Sequence, residues 1–468
     1  MGLRQKTHWF PRNVTNEASF LRFWPLLCSV VNLRSILLIV LGLCITPTRD
    51  ADPQLPRSPL SAGEQLEKIQ AELKRTHAAK DAAGYLAAAK QNAAFLNGSP
   101  ESLLQLMSAE AFARDTRGAL ATFSEFVQMG QSDEDTLKLP RFEKLRADPG
   151  YGSIHARMVA NTTAVSHATR AFSLADPGLL PEDIDYDPTT GLFYFTSVLE
   201  KKIIAVDQAG NAQTFAEAPD PWPMLALKID SHRHFLWATE VAMDGFEASP
   251  KEDWGRSAVL IYDLSTRKLL HRIEGPAKSA LADMALTGDG DAIVSDGNGG
   301  AVYRIRPKSL SLERIDAGDF ISPQTPAVSP DGKTVYVPDY VRGIGILNLE
   351  TKHVVWIPMS GSGSSRAHAL NGIDGLYLAG STLIATQNGT SPERVIEFAL
   401  DPGLARITSE TVIERATPTL GDPTHGVIVG DSFYYIANSG WNTLDDHGHR
   451  KSGVTPSAPL VMRAPLQR

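Results

Sequence analysis

The sequence predicts an all-β, six-bladed β-propeller preceded by a small α-helical module. Three observations carry that expectation. The first is a repeat: from Ala171 onward, six segments share one layout of turn, strand, polar turn and second strand. Their leading turns, at Asp187, Asp230, Asp289, Asp331, Gly380 and Gly430, are separated by 43, 59, 42, 49 and 50 residues, the period of propeller blades built from several short strands. The second is a helical hydrophobic period confined to residues 61–165. The third is composition: with 43% apolar and 21% charged residues among 468, the chain has the apolar surface that disordered chains lack, and neither a collagen nor a coiled-coil bias. Its net charge of −8 provides no basic field for nucleic acid, and none is expected as a partner.

The N-terminus reads as an export segment. Arg4, Lys6, Arg12, Arg22 and Arg34 precede an apolar core running from Ser35 to Ile45, a length that suits a signal peptide and is too short to span a bilayer. Extended back to Trp24 it would span, at the cost of burying Arg34, roughly 2.5–3.5 kcal/mol. Residues 1–46 are therefore a signal peptide or a membrane anchor, and the expected location is periplasmic or extracellular, with inner-membrane anchoring as the alternative. Membrane contact is expected only through this segment. Both cysteines, Cys28 and Cys44, fall inside it, so the body of the protein has neither a disulfide nor a thiolate nucleophile. Residues 47–60, with Pro47, Pro53, Pro56 and Pro59, form a Pro-rich linker.

Ser61-Ala62-Gly63-Glu64 is a capping box that opens the first helix. Asp81, Ser99-Pro100 and Asp115 open three more, followed by short helical stretches at 142–146 and 154–160. Gly84, Leu86 and Ala87 recur 34 residues later as Gly118, Leu120 and Ala121, the tetratricopeptide period. With Leu103, Leu106, Ala119 and Phe123 at packing positions, this module resembles a tetratricopeptide unit, with Met107 departing from its small-residue pattern. The resemblance implies a groove for a protein partner; the low repeat count favours a cap on the next domain.

The propeller is assigned to 171–466, and the long second spacing places an inserted surface loop at 243–254. Common catalytic motifs are absent: there is no H-E-x-x-H, G-x-S-x-G or G-x-G-x-x-G. Gly332-Lys333-Thr334 is a hairpin turn, and Asp445, Asp446, His447 and His449 read as an exposed loop rather than a metal site. Propellers bind ligands where the innermost strands converge on the central channel. Stepping back from each turn gives Glu182, Leu225, Ala282 with Asp283, Gln324, Asp374 and His425 as the channel positions. Charges aimed at one axis cost several kcal/mol to bury unless paired, hydrated or metal-bound. They mark either a site or a water-filled mouth whose side chains satisfy loop amides.

Leu180-Pro181-Glu182-Asp183-Ile184, Ser329-Pro330-Asp331-Gly332-Lys333-Thr334-Val335-Tyr336-Val337 and Gly372-Ile373-Asp374-Gly375-Leu376 resemble the SMP-30/gluconolactonase family of six-bladed propellers. The resemblance implies a divalent cation, Ca²⁺ or similar, held by Glu182, Gln324 and Asp374, with Asp374 also acting as general base. Asp283 and His425 are then the candidates for contact with a small-molecule ligand in the channel. Two positions depart from the family pattern: Gln324 stands where the family has asparagine, and Ala282 where it has a substrate-contacting asparagine. Two functions follow. One is metal-assisted hydrolysis of a lactone or ester. The other is a non-catalytic propeller that binds a small ligand or a protein, with the helical module as an interaction surface.

Overall fold

The computed structural model describes residues 60–359 and 367–466; the export segment and most of the Pro-rich linker lie outside the described residues. Among the described residues seven α-helices come first: α1 (Ala62–Ala78), α2 (Ala82–Phe95), α3 (Pro100–Phe112), α4 (Thr116–Gln128), α5 (Glu134–Leu137), α6 (Glu143–Arg146) and α7 (Tyr151–Ala160). Ser61 and Glu64 form the expected capping box of α1. The 34-residue echo has a local cause. Asp81 and Asp115 each cap a helix by accepting the amide of Gly84 or Gly118 at 2.9 Å, and a Cβ on either glycine would run into its capping carboxylate. Among the described residues no helix is long and apolar enough to cross a membrane.

Six sheets follow, each with its first strand innermost. The first strands are Pro181–Asp187, Met224–Asp230, Leu281–Leu286, Ala327–Val328, Ile373–Ala379 and Gly426–Val429. They touch in succession from blade one to blade six and back to blade one, which closes the ring. Blade six is composite: Thr169–Ser173, from the start of the propeller, pairs with Leu460–Pro465 at its end. This closure leaves no free edge between the first and last blades. Val165–Ser166 adds a fifth strand to blade five, so β structure begins ahead of Ala171.

The helices do not form a separate body. Leu103, Met107, Phe123, Phe126, Met129 and Phe142 share one buried cluster with Ile344, Met359, Ala369, Leu370 and Ile373 of blades four and five. Ala62, Leu66 and Leu96 pack on Ile321. Arg394, 1% exposed, ties the two parts together: its guanidinium donates to Gln387 Oε1 at 2.6 Å, to Ala369 O at 3.2 Å and to Met129 O at 3.3 Å. The propeller residues in these contacts stand at the start of a first or third strand, at the end of a second, or in the segment leading to a first strand. Antiparallel pairing sets those points side by side, as in Pro181 with Ser197 and Ile373 with Gln387. The helices therefore cover the end of the ring at which the first strands begin.

Candidate metal centre

The channel positions are aimed inward by bulges. In four blades the register slips at the start of the first strand: between Pro181 and Ile184, Met224 and Leu227, Leu281 and Asp283, and Ile373 and Gly375. A bulge leaves residues out of the ladder and turns their side chains. Those released are Glu182 and Asp183, Leu225 and Ala226, Ala282, and Asp374. Blades four and six reach the same result by starting late, so that Gln324 and His425 stand just ahead of their strands. Hydroxyls near the ends of the second strands take up the freed backbone groups. Thr196 accepts Asp183 N at 3.0 Å, Thr239 accepts Ala226 N at 2.9 Å and Thr386 accepts Gly375 N at 2.9 Å, while Ser295 donates to Gln324 O at 2.8 Å.

Three side chains from blades one, five and six converge. One potential ligand atom each of Glu182, Asp374 and His425 lies within 4.8 Å of the other two, and the residues are 4%, 1% and 1% exposed. Asp374 Oδ2 accepts Asn388 Nδ2 at 2.8 Å, and Asn388 is held in turn by Tyr340 Oη at 3.0 Å. Glu182 Oε2 accepts the indole N–H of Trp441 at 2.5 Å. His425 Nε2 lies 3.0 Å from Asp283 Oδ1, which also accepts the Thr325 hydroxyl at 2.6 Å. His425 Nδ1 is 3.3 Å from Asp183 Oδ1, is buried and has no aligned hydrogen bond. Asp183 Oδ2 receives Lys228 Nζ at 2.6 Å and Leu227 N at 2.8 Å.

The titrations follow from these contacts. Burial alone would raise the Asp183 carboxyl, but Lys228 and His425 outweigh it and hold the group below its ordinary range. Burial would lower the His425 imidazole; Asp183 and Asp283 reverse that and hold it well above its ordinary value. Asp185, next along the strand, is pushed up to about 6 by burial against the opposing pull of Lys228. Tyr377, whose Oη accepts Gly426 N at 2.7 Å, is raised well above its usual value by burial and the surrounding carboxylates.

The donor set fits a cation. The carboxylates of Glu182, Asp183, Asp283 and Asp374 outnumber the cationic groups of Lys228 and His425. A buried net negative charge of this kind is stabilised by a metal ion. Gln324 lies at the same end, 4% exposed, with its Nε2 donating to Ser322 O at 3.2 Å and Oγ at 3.1 Å; a cation would use Oε1. Leu225 and Ala282 line the apolar side, in contact with the cluster of Leu180, Phe246 and Trp441. His447, His449 and Asp445 sit in an exposed loop and do not join the group.

Asp183, Lys228, Asn388, Thr325 and Trp441 are the site residues that sequence reasoning passed over. Asp183 stands in the Leu180–Ile184 motif, but a strand's strict alternation assigns only one of Glu182 and Asp183 inward, and the bulge releases both. A usable signal exists: Thr196, Thr239, Ser295 and Thr386 repeat near the ends of second strands, marking where amides leave the ladder.

The sequence model for the SMP-30/gluconolactonase/LRE-like region matches residues 180–347, blade one to blade four. No curated protein matches the chain. Similar solved structures include regucalcin, a calcium-binding protein from Agrobacterium tumefaciens, at 17% identity and a TM-score of 0.42, covering 64% of this chain and 98% of that one. A gluconolactonase from Xanthomonas campestris is similar at 14% identity and TM-score 0.42, covering 65% and 97%. An aldose sugar dehydrogenase from Streptomyces coelicolor, solved with bound PQQ, stands at 14% and 0.43, covering 65% and 98%.

Proposed function

Taking the propeller as SMP-30/gluconolactonase-like, we propose that this chain is a divalent-metal-dependent hydrolase of a small lactone or ester. The observation that carries the reading is the convergence of Glu182, Asp374 and His425 from three blades in a buried group with excess carboxylate. Glu182, Asp374 and His425 would hold the cation, with Gln324 Oε1 in reserve as the amide that the family resemblance implies. When bound, the cation would polarise the carbonyl and acidify a water. Asp374, its carboxylate kept in orientation by Asn388, would serve as the general base for the attacking water. Asp283 positions His425, and Leu225 with Ala282 supplies the apolar wall against which a substrate carbon skeleton rests. The basic flank and apolar core within residues 1–46 support export, which would put the reaction outside the cytoplasm.

A binding propeller without turnover is the second reading, favoured by the near-complete burial of every site residue and by Ala282 and Gln324 at the family's asparagine positions. One experiment separates the two. Acid release from a panel of small lactones and aryl esters is followed with added divalent ions and after chelation. Hydrolysis that a chelator stops and Asp374→Asn abolishes supports the enzyme; saturable ligand binding with no acid release under any ion supports the binding module.

A further inference from the structure

The family resemblance implies two carboxylates and an amide, an all-oxygen set that suits Ca²⁺. The structure adds an imidazole to the carboxylates of Glu182 and Asp374, and that changes which ion the site prefers. We infer that His425 is a metal ligand through Nδ1, and that the centre selects a borderline transition ion such as Zn²⁺, Co²⁺ or Mn²⁺ over Ca²⁺. This rests on the reading that the channel holds a divalent cation.

The two ring nitrogens of His425 have different surroundings. Nε2 faces Asp283 Oδ1 and the Thr325 hydroxyl, each at 3.0 Å, and Thr325 donates in turn to Asp283 Oδ1 at 2.6 Å. A carboxylate on one ring nitrogen is the usual companion of a metal on the other, because it fixes the tautomer, orients the ring and raises its basicity. Nδ1 is the nitrogen that no aligned hydrogen bond claims, although the side chain is only 1% exposed. Its 3.3 Å approach to Asp183 Oδ1 is a charge contact without hydrogen-bond alignment, and an ion in place of the Nδ1 proton would fill that lone pair directly. Imidazole with two carboxylates suits Zn²⁺ and its neighbours, whereas Ca²⁺ takes six to eight oxygens and gains little from nitrogen. Asp183 stays outside the ligand set because both its oxygens are engaged: Oδ1 accepts Ile184 N at 2.8 Å, and Oδ2 receives Lys228 Nζ at 2.6 Å and Leu227 N at 2.8 Å.

The test uses the purified chain stripped by a chelator. Co²⁺ is titrated with its visible absorption as the readout, followed by competition with Zn²⁺ and Ca²⁺ and a melting curve for each ion. The expected result is a saturable Co²⁺ spectrum that Zn²⁺ displaces and equimolar Ca²⁺ does not. His425→Asn should lose the spectrum, and Asp283→Asn should weaken Co²⁺ binding about 10–100-fold. His447→Ala with His449→Ala should leave the signal intact, which separates the channel from the exposed loop histidines. If His425→Asn fails to fold, the Asp283→Asn weakening and the Zn²⁺ displacement decide the matter. A site that binds Ca²⁺ in preference to Zn²⁺, or Co²⁺ binding unchanged in either variant, overturns the inference while leaving the metal reading standing. No response to any divalent ion overturns both.

Discussion

The roof over the channel has two halves built in different ways. Over blades four and five it consists of helices, fused to the propeller through one apolar cluster and pinned by the buried Arg394. Over blades six, one and two it consists of two loops, 243–255 and 437–459, that lean on each other. There Phe246 packs with Trp441, Leu444, Leu180 and Val198, its ring lying against Gly448 where a Cβ would collide. Glu247 N donates to His447 O at 2.9 Å. The Glu247 ion pairs with His447 and His449 are between side chains more than half exposed, worth little in water. One half is core and the other is latch. Local opening draws on segments held by exposed polar contacts, so the loop half is where opening toward Glu182, Asp374 and His425 is expected.

The helical half gives the largest effect. Phe123 is fully buried in the shared cluster, and Phe123→Ala is expected to cost about 3–5 kcal/mol. The loss should appear as one cooperative shift of the whole melting curve, because the cluster reaches through Leu370 and Ile373 into blade five. A propeller lacking residues 60–160 would bare that apolar face and aggregate. Two separate melting transitions for Phe123→Ala, or a soluble propeller fragment with the parent melting temperature, would show that the helices are a removable lid and erase the contrast.

That dependence marks the limit of what the sequence alone discloses. The six blades are legible because each repeats the same turn and alternation. The helices are legible because their caps are local: Ser61 with Glu64, Asp81 with Gly84, Asp115 with Gly118. Glu182, Asp283, Gln324, Asp374 and His425 can be placed at the channel by counting back from turns, and all are nearly fully buried there. What each one touches is a different matter. His425 meets Glu182 and Asp374 only through ring closure, and a bulge of one residue leaves no mark on a hydrophobic pattern. Trp441 reaches Glu182 from an insertion whose docking depends on Phe246, nearly two hundred positions earlier in the chain.

On the loop half the expected effect is smaller and different in kind. Phe246→Ala removes the ring that joins the two loops, but the loops can open without unfolding the blades. A global loss of about 2 kcal/mol is expected, below that of Phe123→Ala. The distinctive result is local: Trp441 becomes quenchable by acrylamide and the 437–459 segment becomes sensitive to protease before the global transition. Full protection of both in the variant would mean that the loops are as integral as the helices.

The smallest effect concerns pH. Glu240 lies two residues before the end of the second strand of blade two, which leads into the 243–255 loop, and is fully buried. Burial pushes its carboxyl up to about 7, against the pull of Arg272, whose Nε donates to Glu240 Oε1 at 3.1 Å. A carboxyl raised in the folded state binds its proton more tightly there than in the unfolded chain. Its contribution is therefore complete below the ordinary value of 4.5 and fades as pH rises through about 7. The full shift would correspond to about 3 kcal/mol, but the partly exposed Arg272 and Asp220 bring solvent to the pair, and about 1 kcal/mol is the expected remainder. Glu240→Gln should flatten the stability profile between pH 4.5 and 7.5, leaving the variant more stable than the parent at the upper end and equal at the lower. Arg394, the corresponding buried charge under the helices, is a guanidinium that stays protonated throughout this range; Glu110 of α3, whose carboxyl burial also raises, is common to the parent and Glu240→Gln, so any slope it adds survives in the variant. The decisive measurement is hydrogen exchange of the two halves across that range. Faster opening of the 243–255 loop alone as pH rises, lost in Glu240→Gln, locates the pH dependence in the latch, whereas a parallel response under the helices would place it in the whole ring.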